Sequence, residues 1–271
     1  MTDRQCVEFL QWALPQLGLR WAGFRKVRGQ VRKRIVRRLN ELELMHIAEY
    51  RRYLADHPAE WTVLDACLRI SISRFFRDRD VFDHLRDSVL PDLARTASQR
   101  GEQRLKVWSA GCASGEEPYS VALIWSNHVQ PEFPELELHV LATDADETML
   151  QRAEQAHYPT SSLKDVPADW KQNAFVCRDD EYQLVPQFHA LVDFRLSDIR
   201  QAIPADAFSL ILCRNLVFTY FDEPLQQQVL AALAERLLPG GYLVIGKHES
   251  LPANTTGLVP DPARLGFFRR A

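Results

Sequence analysis

The spacing of apolar residues divides the chain into two parts. Up to about residue 95, apolar side chains recur every three or four positions, which is the repeat of helices with one buried face. A further helical stretch over Val81–Ala97 is expected to link this part to the rest of the chain. The pattern predicts helices over Cys6–Leu17, Val27–Leu39, Met45–Asp56 and Ala59–Ile70.

Beyond Gln103, apolar runs of strand length alternate with helical stretches. This alternation predicts an α/β fold, in which helices cover a parallel sheet. Pro239-Gly240-Gly241 predicts a tight turn between a helix over Pro224–Leu238 and the last long strand. Phe267–Arg269 is expected to add an antiparallel edge strand. The apolar runs are Leu105–Trp108, Leu138–Ala142, Val192–Phe194, Phe208–Cys213 and Tyr242–Gly246.

The pattern weakens between His157 and Ala190. Here Phe175–Cys177 and Tyr182–Val185 flank the polar residues Arg178–Glu181, which predicts a small hairpin. We therefore expect a helical domain over residues 1–80, a linker helix over 81–98, and an α/β domain over 99–271 with a small β insertion at about 158–191.

Composition changes this picture little, but the charge is unevenly distributed. The 271 residues are 46% hydrophobic and 25% charged, as in ordinary globular proteins, and no run is apolar enough to span a bilayer. The net charge of −3 hides a stretch from Phe24 to Arg38 with eight basic residues and no acidic one. The five cysteines lack Cys-x-x-Cys spacing and the first residues are not a signal peptide, so we expect a reduced cytoplasmic protein without disulfides or a structural metal.

The strongest chemical signal lies in Val107–Ser120. An apolar strand runs into small residues, and Glu116 and Glu117 then open a helix. Such a turn at the carboxyl edge of a parallel sheet is where α/β folds bind a cofactor, and Gly111 and Gly115 permit backbone conformations that other residues resist. A phosphate would favour amides and lysine here rather than carboxylates. The turn therefore favours a ligand with positive charge or with hydroxyl groups.

A second acid, Asp144, follows the next strand, where a carboxylate commonly accepts two hydrogen bonds from a ribose. An NAD enzyme would use the same acid, but Asp144 lies 33 residues after Gly111, and the dinucleotide fingerprint expects roughly 20. An adenosyl cofactor without a pyrophosphate fits better, and S-adenosylmethionine is the common one. Its positive charges would explain the carboxylates. The alternative is that Glu116 and Glu117 only interact favourably with the helix N-terminus.

Arg214, Asn215 and Leu216 follow the fourth strand, at the edge where a substrate would meet the cofactor. Neither Cys112 nor Cys213 is expected to be a nucleophile, because no base is placed near the first and the second ends an apolar run. Core packing is the simpler interpretation for two of the three aromatic residues that come next, Phe218, Tyr220 and Phe221.

Together these segments resemble the CheR family of chemotaxis receptor methyltransferases, over nearly the whole chain. The resemblance implies a class I methyltransferase fold that holds S-adenosylmethionine and releases S-adenosylhomocysteine. It also implies methyl transfer to glutamate side chains on receptor signalling helices. The matching motifs are Val107–Ser120, Ala142–Asp146, Cys213–Asp222, Gly246–Leu251 and, at the end of the helical domain, Phe75-Phe76-Arg77.

The resemblance also implies roles for individual residues. Glu116 is expected at the amino acid end of the cofactor, Asp144 at its ribose, and Arg77 at its carboxylate, which suits a guanidinium. We expect Arg214 or Tyr220 to orient the substrate carboxylate. Further expected pocket residues are Ser71, Ser73, Gly111, Asp198, Ile199, Asn215 and Leu216.

Several positions depart from the family pattern. Asp198 and Ile199 stand in place of an Asn-Leu pair that flanks the adenine, and Asp keeps an acceptor but loses a donor. Ser71 and Ser73 replace an Asn and a Thr, and Lys247 interrupts a Gly-His-Ser-Glu run. Two rival functions therefore stay open: a catalytically weak regulator that binds S-adenosylmethionine, and a small-molecule methyltransferase on the same fold. The glycine turn and its spacing argue against an NAD enzyme.

The basic segment Arg25–Arg38 is the expected partner surface. Arg25, Arg28, Arg32 and Lys33 fall at helical spacing, and the resemblance implies that they face the acidic methylation helices of a receptor. A solvated face and a nucleic-acid site are the alternatives, but the aromatic platforms typical of RNA binding are missing. We expect no nucleic acid and no membrane insertion. Because the loop 178–183 is short and has no glycine, we also expect no tight binding of a C-terminal tethering peptide of the receptor.

Overall fold

The computed structural model describes residues 1–179, 181–253 and 255–271, and its backbone divides into two units. The first unit contains Met1–Ile70 and Thr219–Gln226, and the second contains Ser71–Phe218 and Gln227–Ala271. The first boundary therefore falls at residue 70 rather than at the expected 80. The reason is that the side chains at 75 and 76 are buried in the core of the second unit.

The first unit is helical. Its longest helix buries Val31, Ile35 and Leu39, which are spaced at four residues as in a helix with one apolar face. The helices are α1 (Asp3–Ala13), α2 (Trp21–Phe24), α3 (Arg28–Glu41), α4 (Ile47–Asp56) and α5 (Glu60–Leu68), with a 3-10 turn over Leu14–Leu17. Four of them confirm the predicted helices, and α2 was not predicted.

The second unit alternates helices and strands as predicted. Its helices are α6 (Arg79–His84), α7 (Leu90–Gln99), α8 (Glu116–Ile124), α9 (Glu147–Gln155), α10 (Ala168–Ala174) and α11 (Pro186–His189). Two more, α12 (Val217–Tyr220) and α13 (Glu223–Arg236), contribute residues to both units. Short π-helical stretches follow α6 and α8, over Leu85–Val89 and Trp125–Val129, and 3-10 turns cover Gln130–Glu132 and Thr160–Leu163.

Two sheets lie in the second unit. The seven-stranded sheet has the order β6-β2-β1-β7-β8-β10-β9, and the first five strands of that order are parallel. The strands are β1 (Arg104–Ala110), β2 (Glu137–Asp144), β3 (His157–Pro159), β4 (Phe175–Arg178), β5 (Glu181–Leu184), β6 (Val192–Leu196), β7 (Phe208–Cys213), β8 (Leu237–Ile245), β9 (Leu258–Pro260) and β10 (Phe267–Arg270). The predicted α/β fold is confirmed. The carboxyl ends of β6, β2, β1 and β7 therefore lie along one edge.

Two details of the large sheet differ from the prediction. The segment Pro239-Gly240-Gly241 lies inside β8 instead of forming a turn before it. The pairing of β7 with β8 shifts register there, and Gly240 has a φ of 80°, which lets the strand kink and continue. Strand β10 is antiparallel as expected, but β9 lies outside it and forms the edge.

The predicted hairpin of β4 and β5 is confirmed, and it gains β3 as a third strand on the other side of β5. Asp180 lies outside the described residues. Among the residues that the structure describes, no helix is long and apolar enough to cross a bilayer.

Candidate functional site

The glycine turn after β1 is bound to the end of β2 by backbone hydrogen bonds. The N–H groups of Gly111 and Cys112 donate to the carbonyl of Thr143, at 2.8 and 3.0 Å. The next N–H, that of Ala113, donates to Oδ2 of Asp144 at 2.8 Å. The turn and the acid on the second strand are therefore parts of one rigid edge.

Both glycines of the turn are required by conformation and by packing. Gly111 and Gly115 have φ values of 79° and 89°, a region that side chains with a Cβ rarely adopt. A Cβ on Gly111 would lie 2.5 Å from Cδ2 of Leu216, and one on Gly115 would lie 2.9 Å from the Cβ of Ala153. Gly111 thus allows the turn after β1 to touch the turn after β7.

Asp144 is fixed by backbone donors on both sides. Its Oδ2 accepts from Ala113, and its Oδ1 accepts from the N–H of Asp146 at 2.9 Å. A carboxylate has about four lone-pair positions. This arrangement therefore orients the carboxylate while remaining compatible with further hydrogen bonds from two neighbouring hydroxyls.

The two acids at the start of α8 have different surroundings. Glu116 is only 3% exposed, and its Oε2 accepts a hydrogen bond from the Ser114 hydroxyl at 2.9 Å. Glu117 instead accepts from the Ser109 hydroxyl at 2.8 Å and from Nη1 of Arg214 at 3.0 Å. Both carboxylate oxygens of Glu117 thus bind side chains outside the glycine turn, whereas the Glu116 carboxylate binds a residue of the turn itself.

Arg214 is at the centre of a buried ionic cluster. Its side chain is 2% exposed. Besides Glu117, its guanidinium contacts Oδ2 of Asp78 at 2.9 Å and the carbonyl of Arg77 at 2.8 Å, both through Nη2. It also lies 5.1 Å from the ring centre of Phe82. These contacts direct the guanidinium into the protein and point to a role in fixing the surrounding loops, and the predicted contact of Arg214 with the substrate carboxylate stays a prediction.

The loop 75–78 is held in an unusual backbone conformation by this cluster. Phe76 and Asp78 have φ values of 53° and 60°, which cost free energy in residues other than glycine. The N–H of Phe76 donates to the Ser120 hydroxyl at 3.0 Å, and that hydroxyl donates to the carbonyl of Glu116 at 2.6 Å. The loop is therefore tied to both α8 and the end of β7.

Arg77 lies within this fixed loop. Its Nη1 donates to the carbonyl of Ile72 at 2.6 Å. A guanidinium carries five N–H groups, so this contact orients Arg77 without using its whole donor capacity. Ser71 and Ser73 lie in the same irregular segment before α6, on either side of that carbonyl.

The turn after β7 is fixed by Glu249, a residue that the sequence analysis did not single out. Oε2 of Glu249 accepts from the N–H groups of Asn215 and Gly246, at 2.9 and 2.5 Å. Asn215 has a φ of 57°, and a Cβ on Gly246 would lie 2.6 Å from its Nδ2. The fourth-strand motif and the final motif are thus joined. The sequence did contain a signal for Glu249, because this acid lies three residues after Gly246 within the motif Gly246–Leu251.

The turn after β6 adjoins Asp144. The N–H of Ser197 donates to the carbonyl of Asp144 at 2.9 Å. The next two residues are the predicted Asp198 and the buried Ile199. Arg200, which was not predicted, pairs with the Asp198 carboxylate at 2.6 Å through Nη2.

Tyr220 belongs to the first unit. Its ring packs on Phe24 with the ring centres 5.1 Å apart, and its carbonyl accepts from the N–H of Arg20 at 2.8 Å. The other predicted site residues all belong to the second unit. The substrate role expected for Tyr220 stays a prediction.

The two cysteines at the strand ends are buried thiols. Burial raises the pKa of Cys112 and Cys213 well above the ordinary thiol value, and nearby carboxylates add to the effect. A thiol acts as a nucleophile only when it is ionised. These surroundings therefore favour packing over nucleophilic catalysis at both positions.

Comparison with known proteins adds independent information on this site. The family described as "CheR methyltransferase, SAM binding domain" matches residues 71–261. A chemotaxis protein methyltransferase of Listeria monocytogenes is 32% identical, over 92% of this chain and 91% of its own length. Chemotaxis protein methyltransferase 2 of Pseudomonas aeruginosa is 33% identical, over 81% of this chain and 78% of its own length. The protein of that name from Vibrio cholerae is 30% identical, over 82% and 77%.

Proposed function

The chain belongs to the CheR methyltransferase family, and we propose that it methylates glutamate side chains of chemoreceptors. Its fold is that of class I methyltransferases, and its cofactor is S-adenosylmethionine. The glutamate substrate is our proposal. It rests on the similarity to chemotaxis protein methyltransferases. The charged groups at the strand edge, where Asp144, Glu116 and Arg77 are each fixed by neighbours, support the cofactor site in which the transfer would take place.

These three residues suit the chemical groups of S-adenosylmethionine. Asp144 can accept from the ribose hydroxyls, as acids at the tip of the second strand commonly do. Glu116 would hold the ammonium group of the amino acid end, and the guanidinium of Arg77 its carboxylate. The same turn suits a pyrophosphate poorly, because the buried Glu116 would repel it.

The reaction needs little acid–base assistance. When bound, S-adenosylmethionine supplies an electrophilic methyl group. A glutamate carboxylate is already ionised at neutral pH, so we assign no general base. The glutamate oxygen forms a bond to the methyl carbon as the carbon–sulfur bond breaks, giving a methyl ester and S-adenosylhomocysteine.

The residues of this chain act in that reaction by positioning groups and excluding water. Opposite charges on carboxylate and sulfonium diminish in the transition state, so a site that replaces their hydration favours the reaction. The buried contacts of Arg214, Ser120 and Glu249 keep the surrounding loops rigid. A fixed approach of the two reactants accounts for much of the rate in such transfers.

We further propose that the receptor approaches the basic surface of α3. Fewer basic side chains are strongly exposed there than the sequence indicates, because several of them contact other groups of the chain. Arg28 contacts Asp3 at 3.0 Å, and Arg38 contacts Glu60 at 2.8 Å. Arg34 donates to backbone carbonyls at the end of α5. The strongly exposed basic residues are Lys33 and Arg37 on α3, and Arg25 and Lys26 just before it.

Reversing two of these exposed charges should slow methylation. Lys33→Glu with Arg37→Glu is expected to lower the initial rate about tenfold at low salt, because electrostatic steering of an acidic partner is lost. The difference should shrink at high ionic strength. Initial rates against salt, with calorimetry of S-adenosylhomocysteine on both proteins, measure the effect. The affinity for S-adenosylhomocysteine should not change.

The matched control carries the same change in net charge elsewhere. Arg52 and Arg95 are exposed on α4 and α7, and Arg52→Glu with Arg95→Glu should leave the rate within about twofold. Equal slowing in both variants would show that net charge matters and that the surface of α3 does not.

Two further proposals concern location and the small sheet. All five cysteines are free thiols, which suits a reducing compartment, and we propose that the protein is cytoplasmic. We also propose that β4 and β5, each four residues long, do not bind a receptor tethering peptide tightly.

A methyl-transfer assay tests the proposed function directly. The full chain is incubated with radiolabelled S-adenosylmethionine and a cytoplasmic fragment of a chemoreceptor from the same organism. Base-labile label that disappears when the receptor glutamates are replaced by alanine is expected. Binding of S-adenosylhomocysteine without transfer to any receptor would instead support a regulator. Label found only in small molecules would support a small-molecule enzyme.

A further inference from the structure

The small three-stranded sheet is bound to the glycine turn. Its strand β3 has Tyr158 at its centre, and this side chain is only 2% exposed. The Tyr158 hydroxyl donates a hydrogen bond to the backbone carbonyl of Ser114, in the glycine turn, at 2.8 Å. We propose that Tyr158 is a positioning residue of the cofactor site, which holds the glycine turn in the conformation that binds the amino acid end of the cofactor. This inference rests on the proposed function and gives the small sheet a part in it.

Ser114 connects Tyr158 to Glu116. Its carbonyl accepts from Tyr158, and its hydroxyl donates to Oε2 of Glu116 at 2.9 Å. Ser114 and Glu116 are both buried, so water competes little for these hydrogen bonds. In a buried network the members support one another, and the loss of one affects the rest. A displaced Ser114 would therefore move the Glu116 carboxylate, which we propose holds the ammonium group of the cofactor.

The backbone of the glycine turn needs support from its surroundings. Ala113, just before Ser114, has a φ of 48°, and Gly115, just after it, has a φ of 89°. The left-handed conformation costs free energy in alanine, and such residues persist only where neighbouring groups hold them. The N–H of Ala113 is bound to the end of β2, and the carbonyl of Ser114 is bound to β3. Two separate strands thus hold consecutive peptide groups of the turn.

The ring of Tyr158 is fixed by aromatic neighbours. It meets the ring of Phe75 nearly at right angles, with 4.8 Å between the ring centres, and the ring of Tyr119 at 6.4 Å. Phe75 packs in the same way on Phe175, the first residue of β4, at 5.2 Å. Edge-to-face contacts are favourable at such distances. These contacts therefore fix the direction in which the Tyr158 hydroxyl points.

The insertion also holds the segment that leads to Arg77. The N–H of Phe75 donates to the carbonyl of Ser162 at 3.1 Å, and Nε of Arg74 donates to Oδ2 of Asp165 at 2.8 Å. Both acceptors lie between β3 and α10. The insertion is thus attached to both segments that carry the proposed contacts of the amino acid end of the cofactor.

The Tyr158 hydroxyl acts here as a donor and not as a base. Burial, and next the nearby Glu116 carboxylate, raise the pKa of Tyr158 well above the ordinary tyrosine value. The hydroxyl therefore keeps its proton under ordinary assay conditions, and its contribution is the hydrogen bond to Ser114.

Removal of this hydroxyl should affect mainly the amino acid end of the ligand. Tyr158→Phe keeps the ring contacts and takes one donor from the Ser114 carbonyl. We expect S-adenosylhomocysteine to bind about fivefold more weakly, and 5′-methylthioadenosine, which lacks the amino acid part, to bind within about twofold of the wild type. Calorimetry of the two ligands on both proteins measures the two affinities.

Tyr119 provides the matched control. It is also a buried tyrosine, and its hydroxyl donates to a backbone carbonyl outside the glycine turn, that of Ala153, at 3.0 Å. Tyr119→Phe should lower the melting temperature about as much as Tyr158→Phe does, but it should keep the ratio of the two affinities. An equal change of this ratio in both variants would show a general loosening of the core and would overturn the role of Tyr158.

A double variant tests the connection through Ser114. If Tyr158 acts by positioning Glu116, then Tyr158→Phe should change the affinity for S-adenosylhomocysteine less than about twofold when Glu116→Ala is already present. A loss as large as that in the wild-type background would show that Tyr158 does not act through Glu116.

The failure of this inference and the failure of the proposed function give different results. A wild-type chain that prefers S-adenosylhomocysteine to 5′-methylthioadenosine, with the same preference in Tyr158→Phe, would overturn only the role of Tyr158. A wild-type chain that binds the two ligands equally would show that the glycine turn does not hold the amino acid end. The proposed cofactor contacts and the role of Tyr158 would then both be overturned.

Discussion

Replacing Arg214 by alanine should destabilise the second unit by about 3–5 kcal/mol, the range observed when one partner of a buried ion pair is removed. Asp78 and Glu117 would be left near each other without their shared cation, and the carbonyl of Arg77 would lose its donor. The loop 75–78 depends on these contacts to keep its positive φ angles. We therefore expect loss of cofactor binding as well as a lower melting temperature.

Two measurements separate this role from direct contact with the substrate. Thermal unfolding and calorimetry of S-adenosylhomocysteine should both be impaired in Arg214→Ala. Arg214→Lys keeps the charge but not the planar fork that reaches both Asp78 and Glu117, so it should show a smaller loss of stability. An Arg214→Ala protein with wild-type stability and cofactor affinity, but without methyl transfer, would instead favour the substrate contact expected from the sequence.

The fold was largely predictable because each parallel strand is a short apolar run between helical segments. The run 208–213 is buried at every position, and in 138–142 His139 alone is half-buried, so their sequence carries the signal directly. The segment Pro239-Gly240-Gly241 led to a wrong prediction, because its local sequence does not match the structure that it adopts. These residues are typical of turns, but the register shift against β7 accommodates them within a strand.

A site residue was predictable where one short motif contains both the residue and the local structural feature that explains its role. Asp144 and Gly111 are of this kind, because a strand tip and a tight turn are local features. The position of Arg214 was recognised, but its contacts were not. Glu117 lies 97 residues away and Asp78 lies 136 residues away, so their convergence depends on the tertiary fold.

Arg200 was missed for a different reason, since its partner is only two residues away. The resemblance to a known family directed attention to the changed residue, Asp198, and not to its ion-pair partner. Spacing alone also gives no indication that both side chains share one turn beside Asp144.

Asp144→Ala is expected to weaken binding of S-adenosylhomocysteine at least a hundredfold. The substitution removes the charged group that we propose accepts from two ribose hydroxyls, and hydrogen bonds to charged groups contribute about 1.5–3 kcal/mol each. It also removes the acceptor that fixes the N–H of Ala113 in the glycine turn. Asp144→Asn should bind weakly too, because its amide nitrogen would face one of the two backbone donors, Ala113 or Asp146.

A neighbouring acid provides the matched control. Asp146 caps the start of α9 by accepting from Thr148 and Met149, so Asp146→Ala should cost about 1 kcal/mol of stability and leave the affinity nearly unchanged. A 2′-deoxy analogue of S-adenosylhomocysteine completes the test. It should bind the wild type much more weakly than the parent compound, whereas Asp144→Ala should bind the two almost equally. Equal discrimination in both proteins would show that Asp144 supports the turn and does not contact the ribose.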